Sequence, residues 1–304
     1  MSKSLLVLII ILIFIIVISR LIKNNNLKEN ILKETFENPT KLITISSNDN
    51  IYDRFYSGIY DGLFGNKAKL MFEITQITKH ALEKWDSKKN VRILDAGCGT
   101  GWHTNIFSKD YNIIGLDRSA HMINEAKKRN NEDILKLGNI KDTSLFNTNS
   151  FTHILCLYHT IYYINNLNKV FSNFRKWLVP RGMIIIHVVD RDNFDPLLNA
   201  SSPFPFFSLQ KYSKKRLTES KVHFNDFLYK GNFKLDKAND RATFSEVFNY
   251  KNKPKVRKQK HKLYMPDTSV ILEKARINGF KLVHKISMIP VSYEYNYLYI
   301  FRKV

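Results

Sequence analysis

Three glycines stand at alternate positions, directly after a short apolar run, in the segment "ILDAGCGTGWHT": Gly97, Gly99 and Gly101. Glycines that follow a strand let the backbone turn tightly, and glycines that precede a helix leave unpaired N–H groups facing a ligand. The spacing is not the dinucleotide fingerprint, because Trp102 occupies the place of its third glycine. Asp95, two residues before the first glycine, would repel a pyrophosphate and attract an ammonium group. The segment therefore predicts a ligand with a cationic or amino-acid end and no phosphates.

A second carboxylate, Asp117, stands where the next apolar run, "IIGLDRS", ends. An acidic residue at the tip of the second strand can accept hydrogen bonds from both hydroxyls of a ribose. A ribose and an amino-acid end, without phosphate, are the two ends of S-adenosylmethionine (SAM). Taken alone, Asp117 has a second interpretation, as a carboxylate that favours the N-terminus of the following helix.

Short apolar runs alternate with amphipathic stretches from residue 91 onward. Strands are predicted at 91–96, 112–117, 134–137, 153–158 and 183–189, and helices between them, as at 120–130 and 167–178. This alternation predicts an α/β fold in which helices cover both faces of a parallel sheet. After Asp190 the alternation stops, and residues 193–266 form an aromatic and basic insertion that predicts antiparallel strands. A helix at 269–278 and two strands within 281–303 follow.

The chain resembles the Rossmann-like (class I) SAM-dependent methyltransferases over about residues 50–304, and in motif style it is closest to the small-molecule N-methyltransferases. "LDAGCGTG" is similar to the family's first motif and "GLDRS" to its second. "LGNIKD" falls where an acidic residue usually caps the adenine amine, and "FTHILCLYHTIYYI" and "WLVPRGMIIIHVVD" are similar to the fourth and fifth strand regions. The resemblance implies a seven-stranded sheet in the order 3-2-1-4-5-7-6, with the insertion after strand 5.

The same resemblance assigns a set of cofactor-binding residues for SAM: Asp95, Gly97, Gly99, Gly101, Asp117, Arg118, Asn139, Ile140 and Leu157. Asn139 departs from the family pattern, since it stands where the acidic residue is expected. Its side-chain oxygen can still accept a hydrogen bond. Neither cysteine has ligand partners at metal-binding spacing, so no metal site is predicted.

The catalytic candidates are His159, Tyr56 and His187. His159 follows the fourth strand, where parallel sheets bind ligands, and histidine is a suitable general base near neutral pH. Tyr56 belongs to "IYDRFYSGIYDGLF", which resembles the tyrosine-rich N-terminal lid of small-molecule N-methyltransferases. Its tyrosines also repeat at helical spacing, so packing is an equal interpretation. His187 lies within an apolar strand, where a satisfied core histidine is the simpler interpretation.

The chain is strongly basic, with 48 Lys and Arg against 27 Asp and Glu and a formal net charge of +21. Such a charge is typical of proteins that contact an anionic surface or nucleic acid. The alternative is coding bias, because the whole chain is rich in Lys, Asn and Ile. Nucleic acid is therefore the weaker candidate partner.

The basic residues are densest at 251–262. As a strand, this segment would place Lys258, Lys260 and Lys262 on one face and Arg257, Gln259 and His261 on the other. Contact with an anionic surface or substrate is one interpretation, and a solvated edge strand is the other. The insertion itself is predicted to lie on the substrate side of the fold.

The N-terminal residues differ in composition from the rest of the chain and are predicted to form a separate segment. Residues 5–18, "LLVLIIILIFIIVI", are unbroken apolar sequence, and residues 1–22 are long enough to span a membrane if Lys3 and Arg20 extend outward. A cleaved signal peptide is the rival, but no small-x-small cleavage site follows. Residues 23–49 are polar and are predicted as a tether. Basic residues after the span place the catalytic domain in the cytosol.

These observations predict a single-pass membrane protein that is a SAM-dependent methyltransferase, with a small-molecule or lipid-associated methyl acceptor. An RNA or protein methyltransferase is the alternative within that enzyme class. A SAM-binding interaction module without catalysis is the alternative from another class.

Carbonate extraction tests the anchor. We expect the full chain to remain in the membrane pellet and a variant lacking residues 1–22 to be released, because burial of the apolar run in the hydrocarbon core would hold the chain there. Release of the full chain into the supernatant would contradict the anchor.

Overall fold

The computed structural model describes residues 41–197 and 216–304. The predicted anchor at 1–22 and the greater part of the predicted tether lie outside these ranges. Within residues 41–197 and 216–304, no helix is long and apolar enough to cross a membrane. The chain divides into two compact units. Within the described residues, the larger comprises 45–197, 216–220, 231–245 and 259–304, and the smaller comprises 41–44, 221–230 and 246–258.

In chain order the strands are β1 (Lys41–Ile45), β2 (Arg92–Ala96), β3 (Asn112–Asp117), β4 (Leu135–Leu137), β5 (Phe151–Cys156), β6 (Leu178–Val189), β7 (Glu219–His223), β8 (Phe227–Asp236), β9 (Arg241–Tyr250), β10 (Lys255–Tyr264), β11 (Phe280–Ser287) and β12 (Asn296–Lys303). The α-helices are α1 (Asn48–Ile51), α2 (Arg54–Phe64), α3 (Lys67–His80), α4 (Trp102–Phe107), α5 (Ala120–Lys127), α6 (Leu167–Trp177) and α7 (Thr268–Ile277).

Seven strands form the main sheet, in the order β11-β12-β6-β5-β2-β3-β4. Numbered within the sheet, this order reads 3-2-1-4-5-7-6 from the β4 edge. The strands β2, β3, β4, β5 and β6 are parallel, and β12 is antiparallel to both β6 and β11. The carboxyl ends of the parallel strands therefore meet at one edge, where such sheets bind ligands.

Most of these strands lie where the sequence predicts them, and β3 has the predicted bounds. The fifth strand of the sheet is longer than predicted, because β6 begins at Leu178 rather than at Met183. The extra residues pair across an irregularity, in which Phe151 faces Leu178 and His153 faces Met183. The residues between Leu178 and Met183, which the sequence suggested as a turn, are thus part of the strand.

The described part of the insertion supplies four strands of a second sheet, in the order β1-β10-β9-β8-β7. The tether prediction is wrong at its end, because residues 41–45 form β1 beside β10. The sequence "KLITI" has the β-branched content that favours a strand. The edge-strand interpretation of the basic run is also wrong, because β10 has a neighbour on each side. Its alternation is as predicted: Lys258, Lys260 and Lys262 are exposed, and Arg257, Gln259 and His261 are buried.

The core of the main sheet is built from strands that are apolar on both faces. Every residue of β5 is buried, as is the run Met183–Val189 of β6. Helix α6 covers one face with Val170, Phe171, Phe174 and Trp177, which have no exposed surface. Burial of each aromatic side chain of this kind stabilises the fold by about 1.5–3 kcal/mol. This packing fixes the strand ends that carry the site.

His153 gives this core a pH dependence. The side chain is fully buried in β5, and burial lowers its pKa from 6.5 to about 4. The folded state keeps the imidazole neutral where the unfolded chain would protonate it, so this contribution to stability is present above pH 6.5 and is lost as the pH falls towards 4. We expect the free energy of unfolding in denaturant to fall over that range, and to fall less steeply in His153→Phe. Equal slopes in the two proteins would contradict this origin.

Candidate functional site

A cavity of about 730 Å³ lies at the carboxyl ends of β2, β3, β5 and β6. Its lining belongs to the larger unit of the chain. The walls come from the loops after these strands, from α2 and α3, and from the inner parts of β8, β9 and β10. Each of the predicted site residues lines this cavity except Gly101, which lies at the start of α4.

The glycine loop forms one end of the cavity. Gly97 has φ +83°, and a Cβ there would lie 2.6 Å from Thr160 Cγ2. Gly101 has φ +79°, and a Cβ there would lie 2.8 Å from that of Ala126. Both conformations and both contacts exclude larger residues, because L side chains rarely adopt positive φ and neither neighbour leaves room. The loop therefore brings bare backbone up to the cavity.

Two carboxylates, the partly buried Asp117 and the buried Asp95, hold this loop and the helix that follows it. Asp117 Oδ2 accepts a hydrogen bond from the Gly99 N–H at 2.9 Å, and its Oδ1 accepts one from the Ser119 N–H at 2.9 Å. Asp95 Oδ2 accepts the hydroxyl of Thr104 at 2.7 Å. Burial raises the pKa of both carboxyl groups, and these hydrogen bonds oppose that shift.

Asp117 thus contacts the start of α5 and the glycine loop at once. Ser119 is the N-cap of that helix and accepts the Met122 N–H through its Oγ at 3.2 Å. Because each carboxylate oxygen has a further lone pair, Asp117 can still accept ribose hydroxyls from the cavity. Both interpretations of Asp117 fit this geometry.

The remaining cofactor candidates differ in how they face the cavity. Leu157 and Ile140 line it with apolar surface. Asn139 Oδ1 accepts the Lys141 N–H at 3.0 Å, so one lone pair of the expected adenine acceptor is used locally. Arg118 donates to Asp49 Oδ1 at 2.6 Å, and it ties α1 to the rim of the cavity. Their roles toward a cofactor stay predictions.

The tyrosines of α2 serve both packing and the cavity. Tyr56 is almost fully buried, and its hydroxyl lies 3.4 Å from His261 Nε2. The other imidazole nitrogen of His261 lies 2.6 Å from the hydroxyl of Tyr163, which accepts from Tyr52 at 2.9 Å. Tyr60 also lines the cavity. This network joins the N-terminal helices, the loop after β5 and the insertion around one wall.

The two histidine candidates lie next to each other in the cavity wall. The ring centroids of His159 and His187 are 5.7 Å apart. Burial lowers the pKa of His159 to about 4 and that of His187 to about 3, and the nearby Lys69 ammonium lowers both further. Both imidazoles are therefore neutral at physiological pH and can act as hydrogen-bond acceptors or bases.

The structure adds a buried charged cluster that the sequence reasoning missed. Lys69 Nζ lies 2.6 Å from Glu73 Oε1, and His103 Nε2 lies 3.0 Å from Glu73 Oε2. Burial alone would raise the pKa of Glu73, but Lys69 and His103 bring it down to about 2. The ammonium of Lys69 also lies 3.5 Å from the ring centroid of Tyr158. Charged residues four apart on the buried face of α3 were the available signal.

No group of three or more His, Cys, Asp or Glu residues placed to bind a metal occurs in the described part of the chain.

Asp117→Ala tests the cofactor end of the site. We expect SAM affinity to fall at least about tenfold, because the carboxylate both holds Gly99 and can accept from a ribose, and hydrogen bonds to charged groups are worth about 1.5–3 kcal/mol each. Calorimetry with SAM measures the change. Asp142→Ala, an exposed carboxylate outside the cavity, is the matched control. Equal affinities in the two variants would refute the assignment.

Comparison with known proteins agrees with this geometry. Residues 94–186 match the methyltransferase domain family. The chain is 28% identical over 139 residues to a ubiquinone biosynthesis O-methyltransferase of Rickettsia bellii, covering 43% of this chain and 56% of that protein. It is 28% identical over 110 residues to the dTDP-3-amino-3,6-dideoxy-alpha-D-glucopyranose N,N-dimethyltransferase of Streptomyces fradiae, covering 35% and 42%. The chain thus matches about half the length of these relatives.

A solved structure shares the fold over most of this chain. It is SAM-bound CalS10, an amino pentose methyltransferase from Micromonospora echinaspora, with a TM-score of 0.56, 16% identity and coverage of 85% of this chain and 100% of that one. The glycine loop, Asp95 and Asp117 fit the same cofactor, since bare backbone and two carboxylates suit its ribose and amino-acid ends. Residues 94–186 therefore match the methyltransferase domain family, and the described chain shares the fold of a SAM-bound methyltransferase.

Proposed function

We propose that this protein transfers a methyl group from SAM to a nitrogen or oxygen of a small-molecule acceptor. The observation that carries the proposal is one cavity that runs from the glycine loop and Asp117 to the neutral pair His159 and His187. A cofactor site and a set of acid–base groups therefore share one enclosed space. The relatives named above, an O-methyltransferase and a sugar N,N-dimethyltransferase, support a small acceptor.

The residues of the cavity divide the work of the reaction. SAM, when bound, supplies an electrophilic methyl group on a sulfonium. Asp95 and the glycine loop would hold the amino-acid end, and Asp117 the ribose. Methyl transfer is an in-line displacement, so the protein contributes mainly alignment and exclusion of water. The tyrosine wall of α2 supplies the exclusion.

His159 is the group placed to take a proton from the acceptor. It lies three residues after the end of β5, near the strand ends where parallel sheets bind ligands, and it lines the cavity. No hydrogen bond to its imidazole occurs among the residues that the structure describes, so a ring nitrogen is available to an acceptor. An acceptor that arrives as N–H or O–H loses its proton to this nitrogen as the methyl group is transferred.

The size of the acceptor follows from the walls. Phe194, Phe233, Phe244 and Leu263 line the cavity together with the α2 tyrosines. An apolar and aromatic lining of this kind suits a small organic molecule. We accordingly favour a small-molecule acceptor over RNA or protein.

The cellular setting is a second part of the proposal and rests on the sequence alone. We infer that residues 1–22 attach the enzyme to a membrane with residues 50–304 in the cytosol. The apolar run and the basic residues after it support this. The exposed face of β10, with Lys258, Lys260 and Lys262, is available for contact with an anionic surface.

His159→Gln tests the base. We expect the turnover number to fall about 10²–10⁴-fold with SAM affinity unchanged, because proton transfer by a positioned side chain contributes on that order. Transfer of labelled methyl from SAM to a low-molecular-weight metabolite extract measures turnover, and calorimetry measures affinity. His121→Gln, an exposed histidine of α5, is the control. Parental turnover in His159→Gln would exclude the role.

The pH profile of the parent gives a separate test of the same group. With a pKa near 4, His159 is in its neutral, basic form above about pH 5 and loses that form only as the pH falls through 4. We expect no fall in rate between about pH 8 and 6 from this residue. A rate that halves near pH 6.5 would show an unshifted histidine instead.

A further inference from the structure

The turn that follows β5 has a tyrosine where glycine is the usual residue. Residues 157–160 form this turn, which is closed by a hydrogen bond from the Thr160 N–H to the Leu157 carbonyl at 3.3 Å. Its first central residue, Tyr158, has φ +52°, and its second, His159, has φ −99° and ψ 18°. A turn of this shape favours glycine at the first central position, because L side chains rarely adopt positive φ. A bulky aromatic residue that is kept there despite backbone strain indicates that its side chain has a role in the site.

The ring of Tyr158 lies against a buried ammonium of α3. Lys69 Nζ is 3.5 Å from the ring centroid, and its charge is balanced by Glu73 at 2.6 Å. The His103 ring is also near, with centroids 6.1 Å apart. A tyrosine ring face attracts an ammonium group, and the attraction is stronger where water is excluded. This contact opposes the strain of the turn and holds the Tyr158 ring in one place.

The residues that follow Tyr158 in the turn are held by other elements. The imidazole of His159 lies beside β6, where its ring centroid is 5.7 Å from that of His187. Thr160 packs on the glycine loop, since its Cγ2 would lie only 2.6 Å from a Cβ on Gly97. Tyr158 and His159 therefore project toward different elements, one toward α3 and the other toward β6. Fixing the first of these side chains limits the directions that the second can take.

We propose that Tyr158 is a positioning residue, whose ring packs against the Lys69 ammonium and so fixes the turn that directs the His159 imidazole into the cavity. The inference rests on the proposed function, in which His159 takes a proton from the methyl acceptor. A general base must lie within hydrogen-bond reach of the proton that it removes. A displacement of about 1 Å can cost about 10²-fold in rate. The strained turn thus has a reason to persist, because it keeps the base within that reach.

Two variants of Tyr158 separate its ring from its hydroxyl. Glycine adopts positive φ without strain, so Tyr158→Gly removes the ring without adding strain to the fold. Tyr158→Phe keeps a ring on the Lys69 ammonium. At saturating SAM and with the same metabolite extract, we expect labelled methyl transfer to fall at least about tenfold in Tyr158→Gly and to keep the parental rate in Tyr158→Phe. An equal loss in both variants would overturn the inference, because the hydroxyl would then be the working group.

A double variant tests whether Tyr158 acts through His159. If it does, Tyr158→Gly lowers the rate little further once His159→Gln has removed the base, since residues that act as a unit have non-additive effects. If the two losses multiply in full, Tyr158 acts independently of the base and the inference is wrong.

Tyr111→Ala is the matched control for loss of a ring. Tyr111 is also partly buried against the same hydrophobic cluster as Tyr158, and Lys88 Nζ lies 5.1 Å from its ring centroid. It is not among the residues that line the cavity. We expect the parental rate in this variant.

NMR titration of the His159 imidazole gives a readout that needs no acceptor. In the parent and in Tyr158→Phe its resonances should not titrate between pH 8 and 5, because burial and the Lys69 ammonium lower its pKa to about 4. In Tyr158→Gly water reaches a displaced imidazole, so the pKa should rise toward 6.5 and the titration should enter this range. An unchanged titration in Tyr158→Gly would contradict the positioning role.

The outcomes distinguish this inference from the proposed function. Absence of SAM binding in the parent would refute the proposed function itself. With SAM bound, a parental rate in Tyr158→Gly would overturn the positioning role alone. If the extract contains no acceptor for the parent, the His159 titration decides between the two results named above.

Discussion

The carboxylate of Asp117 is the point on which the candidate site depends. It lies at the end of one strand and accepts N–H groups from the loop after the neighbouring strand and from the turn into the next helix. The first of these bonds anchors a loop whose three glycines, Gly97, Gly99 and Gly101, have positive φ, a conformation that other residues rarely adopt. The same oxygens of Asp117 line the cavity. Under the proposed function, one partly buried group would both position the loop and bind the cofactor, and a change at Asp117 would affect both.

Burial determines the chemistry of the part of the cavity wall that contains His159 and His187. The histidines there are held neutral by desolvation and by the nearby ammonium of Lys69, whose charge is compensated by Glu73. A buried ammonium without a carboxylate partner would destabilise the fold. The Lys69–Glu73 pair carries little net charge, while its ammonium still acts on the nearby histidines. The wall is thus able to accept protons and hydrogen bonds without attracting a counter-ion.

Features that depend on local sequence could be predicted. The glycine loop, Asp95 and Asp117 are contiguous motifs, and the bounds of β3 follow from its apolar run. The alternation of exposed and buried side chains along β10 could be predicted from its lysines at every second position. Features that depend on contacts between distant segments could not be predicted. The Lys69–Glu73–His103 cluster requires α3 to pack on α4, and β1 requires β10 as its partner, so the local signals in these two segments were not sufficient to predict either feature.

The attachment of α1 bears on how fast a cofactor can be exchanged. The helix is joined to Arg118 through Asp49, whose side chain is 77% exposed, and to β10 through the Asn48 amide, which pairs with the backbone N–H and carbonyl of Lys262. Exposed bonds of this kind open at little cost. Under the proposed function, release of a spent cofactor past this rim would then need only local opening rather than an unfolding of the wall. Higher ionic strength, which weakens the Arg118–Asp49 pair, would favour that opening.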